Sequence, residues 1–482
     1  MKKLPYPKLL IKILRATFGK FLKHYYNIEF VDPKNIKELK EPFVIIINHS
    51  GFWDPFFICS YLTQEIHFVT SDNIFRHNIF KFFVKLFGSI PKSKFIPDVK
   101  TIKYIFSTIE SNGSIGIFPE TNRTWDGSCF PLNPNIGNLI KKLNVDLVGT
   151  IIKGGYLSLP RWAIKKRKGK VIIEFDYILK KEEIKELSAN QIYEKANNFL
   201  NYNEDHFQDK MNIKFKGKNL AHYLERALFI CPNCNSFFSL YSFSDFFLCK
   251  NCNILLKYNE YGRLVFPELK EFKKHIYLFK NEINKNIKIN IDNFNTVHKW
   301  NKWQINFLIN FLRNNFYNIV NNKIDKNIIL KDFVSNFNIN KVSKKEDIFI
   351  DNEKALIYKG FKLEKTKFLF KAFLSISFYY FLLLDENKNI ILKFPILEMD
   401  GVNVQDKEIL EFYYKNELYR IYYKNKRISI YKWLLFILSI KKLLIENIDL
   451  LYNNINIFEN KDFIENLKSN KNIKLNIDNI FS

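Results

Sequence analysis

His49 and Asp54 lie five residues apart in the segment Asn48-His49-Ser50-Gly51-Phe52-Trp53-Asp54. An imidazole oriented by a carboxylate is a general base for a hydroxyl proton. The carboxylate fixes the tautomer and raises the basicity of the other ring nitrogen. Taken alone the pair is a weak signal, because a loop histidine hydrogen-bonded to an aspartate needs no catalytic reason. A second segment reads Phe118-Pro119-Glu120-Thr121-Asn122-Arg123. Arg123 offers a planar fork suited to a phosphate. Glu120 is placed to orient Arg123 or to contact a substrate hydroxyl. The plain alternative is a surface turn closed by a salt bridge.

The third constellation is Cys231-Pro232-Asn233-Cys234 followed by Cys249-Lys250-Asn251-Cys252, two Cys-x-x-Cys knuckles with 14 residues between them. That spacing is expected of a four-thiolate zinc site, structural because every position is filled by protein. A disulfide framework conflicts with a reducing compartment. A redox pair conflicts with the doubled knuckles and the absence of a following helix signal. Cys59 and Cys129 have no partner at metal spacing, and Cys59 falls in an apolar stretch that predicts a buried structural thiol.

These residues need elements to carry them. Phe43-Val44-Ile45-Ile46-Ile47 is apolar without alternation, the pattern of a strand buried on both faces of a parallel sheet. Residues 114–118 and 145–149 predict further strands, 171–175 another, with helices over 78–87 and 100–111 and a closing helix over 181–202. Strands alternating with helices imply an α/β domain, a mixed sheet flanked by helices, over 26–220. His49 then follows a strand at its carboxyl end, where active sites of open α/β sheets gather. Residues 1–25 form a basic amphipathic helix, with Lys8, Lys12, Arg15 and Lys23 opposite Leu10, Ile13, Leu14, Phe18, Phe21 and Tyr25. Such a helix suits either a membrane interface or packing on the domain. Residues 221–265 hold the cysteines, a small zinc ribbon, and 266–345 are Lys/Asn-rich and helical. Residues 346–482 are mostly β, with hairpin punctuation at 385–389 and 415–416 and an apolar helix at 430–445. Antiparallel strands closed by one helix resemble a pleckstrin-homology-like barrel in architecture alone.

The chain has 482 residues, 75 Lys+Arg against 49 Asp+Glu, and a formal charge of +26. That excess implies a polyanionic partner, nucleic acid or an anionic membrane. A hydrophobic fraction of 47% excludes global disorder and supports several packed domains. The run 368–384 is too short to span a bilayer, which needs about 20 apolar residues, and reads as buried strands. No secretory leader is visible, so a cytoplasmic chain is expected. The segment 161–170 is strongly basic, and its Trp162 suits a headgroup contact.

In order and separation, the first two segments resemble the glycerolipid acyltransferase family, whose best-known members are 1-acyl-sn-glycerol-3-phosphate acyltransferases. His49 and Asp54 match that family's His-x4-Asp motif, and Phe118, Pro119, Glu120 and Arg123 match its Phe-Pro-Glu-Gly-x-Arg motif. Gly88-Ser89-Ile90-Pro91-Lys92-Ser93-Lys94 matches its Gly-x-Ile-x-x-x-Arg block with Lys94 in the arginine place, and Thr121 stands where the family has Gly. The resemblance covers roughly 25–215. It implies acyl transfer from acyl-CoA or acyl carrier protein to the free hydroxyl of a lysophospholipid. His49 would be the base, Asp54 its orienter, and Arg123 with Lys94 the holders of the acceptor phosphate. The implied setting is the inner face of the cell membrane, with an anionic bilayer, not nucleic acid, as partner. The competing reading is a non-catalytic zinc-ribbon protein that contacts nucleic acid or protein. Within the enzyme reading, an acceptor other than 1-acyl-sn-glycerol-3-phosphate stays open.

Overall fold

A computed structural model describes residues 6–71, 74, 84, 87–92, 98–120, 122–130, 132–272, 283–320, 347–360 and 366–447. Lys94, Thr121, most of the helix expected over 78–87, and residues 273–282, 321–346 and 448–482 lie outside the described residues. The chain divides into two compact units, one built on Met1–Leu220 with Asn259–Gly262, the other on Ala221–Tyr258 and the residues from Arg263 onward.

Among the described residues, the first unit is organised by seven strands: β1 (Ile28–Val31), β2 (Phe43–Ile47), β3 (Ile66–Ser71), β4 (Ile90–Lys92), β5 (Ser114–Ile117), β6 (Asp146–Lys153) and β7 (Val171–Leu179). Their order is β1-β7-β6-β2-β5-β3-β4. All neighbours run parallel except β6 and β7, so the sheet is mixed, as expected. Strand β2 is central and buried along its whole length. Its side chains alternate between two cores, Val44 and Ile46 on one face, Phe43, Ile45 and Ile47 on the other. That two-sided burial is why its sequence is uniformly apolar.

Helices cover both faces. The first, α1 (Lys8–Leu14), runs through a π-helical stretch at Arg15–Gly19 into α2 (Lys20–Tyr26). The wider turn rotates the buried stripe. Ile11, Leu22 and Tyr26 are buried, whereas Leu9, Ile13, Phe21 and Tyr25 face outward. The simple division into a basic and an apolar face is thereby corrected. Gly19 passes close over the third helix, where an added Cβ would meet Ser60 Cβ at 3.0 Å.

That third helix, α3 (Asp54–Tyr61), follows the His49 loop. Beyond it come α4 (Val99–Glu110), α5 (Ile136–Leu143) and the single turn α6 (Gly155–Ser158). The single helix expected over 181–202 is two, α7 (Lys181–Glu186) and α8 (Ala189–Leu200). Leu187 is extended, and Ser188 and Gln191 form a reciprocal capping box that starts the second helix afresh. The last helix of the unit is α9 (Glu204–Met211).

The second unit holds a four-stranded antiparallel sheet: β8 (Leu240–Phe243), β9 (Phe246–Cys249), β10 (Leu255–Tyr258) and β11 (Leu264–Val265). After the short α10 (Leu269–Phe272), the 24-residue α11 (Val297–Val320) is the main helix described between 266 and 345. It is tied to the cysteine segment. Trp300 Nε1 donates to Ile230 O at 2.9 Å, and Gln304 Oε1 accepts from Phe229 N at 2.9 Å.

A seven-stranded antiparallel sheet follows: β12 (Asp347–Gly360), β13 (Lys367–Ser377), β14 (Tyr380–Leu384), β15 (Ile390–Pro395), β16 (Asp400–Gln405), β17 (Ile409–Tyr414) and β18 (Glu417–Tyr422). Its order is β15-β14-β13-β12-β18-β17-β16. The apolar helix α12 (Tyr431–Glu446) is buried along nearly its whole length. The run 368–384 forms strands of this sheet, buried for the most part from Ala372 onward, whereas Phe368 and Leu369 at its start are exposed. Among the described residues no helix is long and apolar enough to cross a membrane.

Candidate active site and thiol cluster

Strand β2 delivers Asn48 and His49 at its carboxyl end. Asn48 is pinned first: its side chain donates to Ile152 O at 3.2 Å and accepts from Ile152 N at 2.7 Å. This two-way bond extends the β2–β6 pairing past the last strand residue. His49 Nδ1 then donates to Asp54 Oδ2 at 2.9 Å. The same oxygen accepts from the backbone N–H groups of Ser50 and Gly51, both at 2.8 Å, and Oδ1 accepts from Ser50 Oγ at 3.0 Å. Asp54 is fully buried in the first turn of α3, where a carboxylate is favoured by the helix dipole. A buried carboxylate carrying four donors holds its geometry firmly. With Nδ1–H committed to Asp54, Nε2 is the basic nitrogen. The imidazole is 24% exposed, so it reaches solvent while its orienter does not.

The two motifs are joined through the backbone of His49. Its N–H donates to Glu120 Oε1 at 2.9 Å, and its C=O accepts from Thr124 N at 3.3 Å. Arg123 therefore sits between two residues bonded to the His49 main chain. Its own carbonyl accepts from Arg161 Nη1 at 2.7 Å, and that guanidinium lies 4.4 Å from the centroid of the Trp125 ring. Glu120 Oε2 accepts from Phe130 N at 3.1 Å. Glu120 is thus a buried brace for the histidine loop. Burial pushes its carboxyl up to about 8, against the opposing pull of the His49 and Phe130 amides.

Several participants carried no signal on their own in the sequence. Ser50 and Asn48 lie in the quoted segment but had no role assigned. Gly155, at the turn after β6, packs against the loop, where an added Cβ would fall 2.4 Å from Ser50 Oγ. Glu204, at the start of α9, lines with Glu120, Cys129 and Tyr156 a cavity of about 10 Å³ beneath the loop, room for roughly one water. Tyr202 donates to Glu204 at 2.8 Å, and burial lifts that carboxyl to about 8 as well. Cys59, in α3, has its thiol pushed up to about 12 by burial, which fits a structural residue.

Trp162 departs from expectation. It is fully buried, donates through Nε1 to Tyr156 Oη at 3.0 Å, and lies under the Arg167 guanidinium. Arg161 and Arg167 are buried too, so the outward part of the basic segment is Ile164, Lys165 and Lys168.

In the second unit Cys231, Cys234, Cys249 and Cys252 converge, with all four sulfurs within 4.8 Å of one another. Two of the separations are 3.8 Å (Cys231–Cys252) and 3.7 Å (Cys234–Cys249). Thiolates held tetrahedrally at about 2.3 Å from a zinc ion stand about 3.8 Å apart, so the four residues fit that ion. Donors surround the sulfurs: Asn233 Nδ2 reaches Cys252 at 3.4 Å, and Ser239 Oγ lies 3.1 Å from Cys249. Such outer contacts orient ligands and offset thiolate charge.

Residues 27–153 match the family model described as Acyltransferase. His49, Asp54, Glu120, Arg123 and Lys94 fall inside that segment, and the four cysteines fall outside it. No curated protein matches the chain. Among solved structures, the 1-acyl-sn-glycerophosphate (LPA) acyltransferase PlsC from Thermotoga maritima is similar at 15% identity. That likeness covers 42% of this chain and 80% of the other, with a TM-score of 0.36.

Proposed function

We propose that the chain is an O-acyltransferase that moves an acyl group from acyl-CoA or acyl carrier protein to the free hydroxyl of a lysophospholipid, 1-acyl-sn-glycerol-3-phosphate being the first choice of acceptor. The observation that carries this reading is the His49–Asp54 pair at 2.9 Å, built at the carboxyl end of β2 inside the segment that matches the acyltransferase family.

In the proposed reaction His49 Nε2 takes the acceptor hydroxyl proton as that oxygen attacks the thioester carbonyl. Asp54 stabilises the imidazolium that forms and stays ionised itself. Collapse of the tetrahedral adduct forms the ester and breaks the C–S bond. The imidazolium then returns its proton to the departing thiolate, which leaves as the thiol. The acceptor is itself the nucleophile, so the chain forms no covalent acyl intermediate. Arg123 and Lys94 hold the acceptor phosphate, and Glu120 acts as a positioning residue through the His49 backbone.

The four cysteines are proposed to hold a structural zinc ion in a ribbon-like module, and the C-terminal sheet with α12 to form a pleckstrin-homology-like domain. The outward apolar residues of α1 and α2, interleaved with lysines, support peripheral contact with an anionic membrane. The test offers purified full-length protein acyl-CoA or acyl carrier protein thioesters with a panel of lysophospholipids and reads products by mass. Phosphatidic acid from the lysophosphatidate arm, lost in His49→Ala, is the expected result. Equal product from His49→Ala overturns the mechanism, and a different preferred lysophospholipid corrects the acceptor.

A further inference from the structure

A second concave surface of the first unit lies apart from His49. It is a cleft of about 650 Å³ along the edge strand β1. Strand β1 runs parallel to β7, which is antiparallel to β6, so β1 is antiparallel to β2. The start of β1, with Asn27 and Ile28, therefore lies toward the sheet end that carries His49. The cleft also takes in Ser60 and Tyr61 at the far end of α3, about 10 Å along that helix from Asp54.

The lining carries four cations, Arg15, Lys23, Lys37 and Lys170, against one carboxylate, Glu29. Glu29 is paired with Lys170. Among the described residues, Arg15, Lys23 and Lys37 have no carboxylate partner. Each is nonetheless held in place. Arg15 Nε donates to Cys59 O at 2.9 Å. Lys23 Nζ sits 5.6 Å from the Phe30 ring centroid and Lys37 Nζ 5.3 Å from that of Tyr61. Those two rings stack on each other with centroids 4.6 Å apart. Each of the two stacked rings thus carries an ammonium group, and Arg15, Ser60 and Thr63 line the same cleft. Three cations without an ion pair share this concavity, with the Asp32 carboxylate behind it on the Tyr61 hydroxyl at 3.2 Å, and their combined field favours a bound anion. Groups already held by ring and backbone contacts lose little freedom when they close on a ligand.

We infer that this cleft is a second anion site, one that takes the phosphate ester of a ligand bound independently of the His49 centre. The neighbouring helical segment turns Leu9, Ile13, Phe21 and Tyr25 outward. That apolar ridge beside the cleft favours an anionic phospholipid headgroup as the source of the phosphate. A soluble phosphate ester such as the phosphorylated end of coenzyme A offers the same chemistry. The inference does not depend on acyl transfer, because binding alone tests it.

The experiment uses the full chain and two variants of equal charge loss. Lys23→Gln/Lys37→Gln alters the cleft, and Lys142→Gln/Lys185→Gln alters two exposed lysines of α5 and α7. Flotation with phosphatidylglycerol vesicles, flotation with phosphatidylcholine vesicles, and calorimetric titration with coenzyme A are run on all three proteins. The expected result is at least a tenfold loss of phosphatidylglycerol affinity in the cleft variant only, with phosphatidylcholine unaffected. A tenfold loss confined to coenzyme A keeps the anion site and reassigns its source to a soluble ester. Equal losses in both variants reduce the effect to net charge and overturn the site. Unchanged binding of both anionic probes in the cleft variant overturns it as well.

Discussion

The His49 loop and the four-cysteine cluster are built alike and finished differently. Each begins as a short motif, and each gathers its reactive atoms beside the end of a strand. The loop surrounds them with side-chain and backbone donors, the cluster with side-chain donors. In the loop, the donors converge on Asp54, and the imidazole they orient keeps one edge toward solvent. In the cluster, the sulfurs converge on one another, with Cys231 and Cys249 buried and four ligands enough to fill a tetrahedron. An open position belongs to chemistry and a closed one to stability. The proposed assignments follow that difference, and removing parts from each site tests it.

The largest effect is expected at the closed site. Stripping the metal with a chelator, or replacing Cys249 by Ser, should remove an apparent stabilisation on the order of 10 kcal/mol. Hydrogen exchange over 227–258 should lose its protection, since the Ala227–Ile230 segment leans on Gln304 and Trp300 of α11. One zinc per chain should be released as the four thiols titrate. Protection that survives complete metal removal would make the cluster a set of ordinary core cysteines.

At the open site the loss on removing His49 should appear in rate and not in folding. His49→Ala is expected to lower kcat by about 10³-fold or more, and Asp54→Asn by about 10³- to 10⁴-fold through the wrong tautomer. The His49→Ala protein should melt within a few degrees of the parent, because a quarter-exposed side chain contributes little to the core. A His49→Ala protein that unfolds would move the loop to the structural side of the comparison.

Glu120 sharpens the contrast, because it is buried with its two amide donors and no cation is needed to hold it. Its folded-state value of about 8 lies above its ordinary 4.5. Between those values the native state keeps a proton that the unfolded chain releases. Stability therefore falls as pH rises from about 4.5 to 8 and levels off above, with a slope of up to about 1.4 kcal/mol per pH unit from this group. Glu204 adds a second slope of the same sign. Urea unfolding of Glu120→Gln across that window should show a slope shallower than the parent's, by up to about 1.4 kcal/mol per pH unit. An unchanged slope would mean the carboxylate is ionised in the folded chain.

Sequence made both constellations visible and much of their surroundings invisible, for physical reasons. Strand β2 is legible because two-sided burial leaves no polar residue in it. The cysteine site is legible because metal ligation constrains local spacing. The Glu120 contact to His49 is not legible, since it joins residues 71 apart and only the fold supplies the pairing. Trp162 looked like an interface residue because its neighbours are basic, yet Arg161 and Arg167 are buried over tryptophan rings and carry their charge inward. The break at Leu187 was in principle readable, for Ser188 and Gln191 have capping-box spacing. Apolar residues at helical spacing on both sides of it, Ile184, Leu187, Ile192, Ala196 and Leu200, mask it.

The smallest expected effects separate the two regions most finely, because they remove one outer donor from each. Ser50→Ala deletes the hydroxyl that holds Asp54 Oδ1, and Ser239→Ala deletes the one beside Cys249 Sγ. A hydrogen bond to a charged group contributes about 1.5–3 kcal/mol, and an outer contact to a metal ligand about 10- to 100-fold in affinity. Ser50→Ala should therefore lower kcat by roughly tenfold at unchanged KM, since Asp54 keeps its two backbone donors and only its rigidity suffers. Ser239→Ala should weaken zinc binding by about tenfold in a chelator competition and leave kcat untouched. The crossed outcomes carry the weight. A Ser50→Ala protein with normal kcat would show that two amides suffice to fix the carboxylate. A Ser239→Ala protein with reduced kcat would show that the metal site acts on the reaction and is more than a staple.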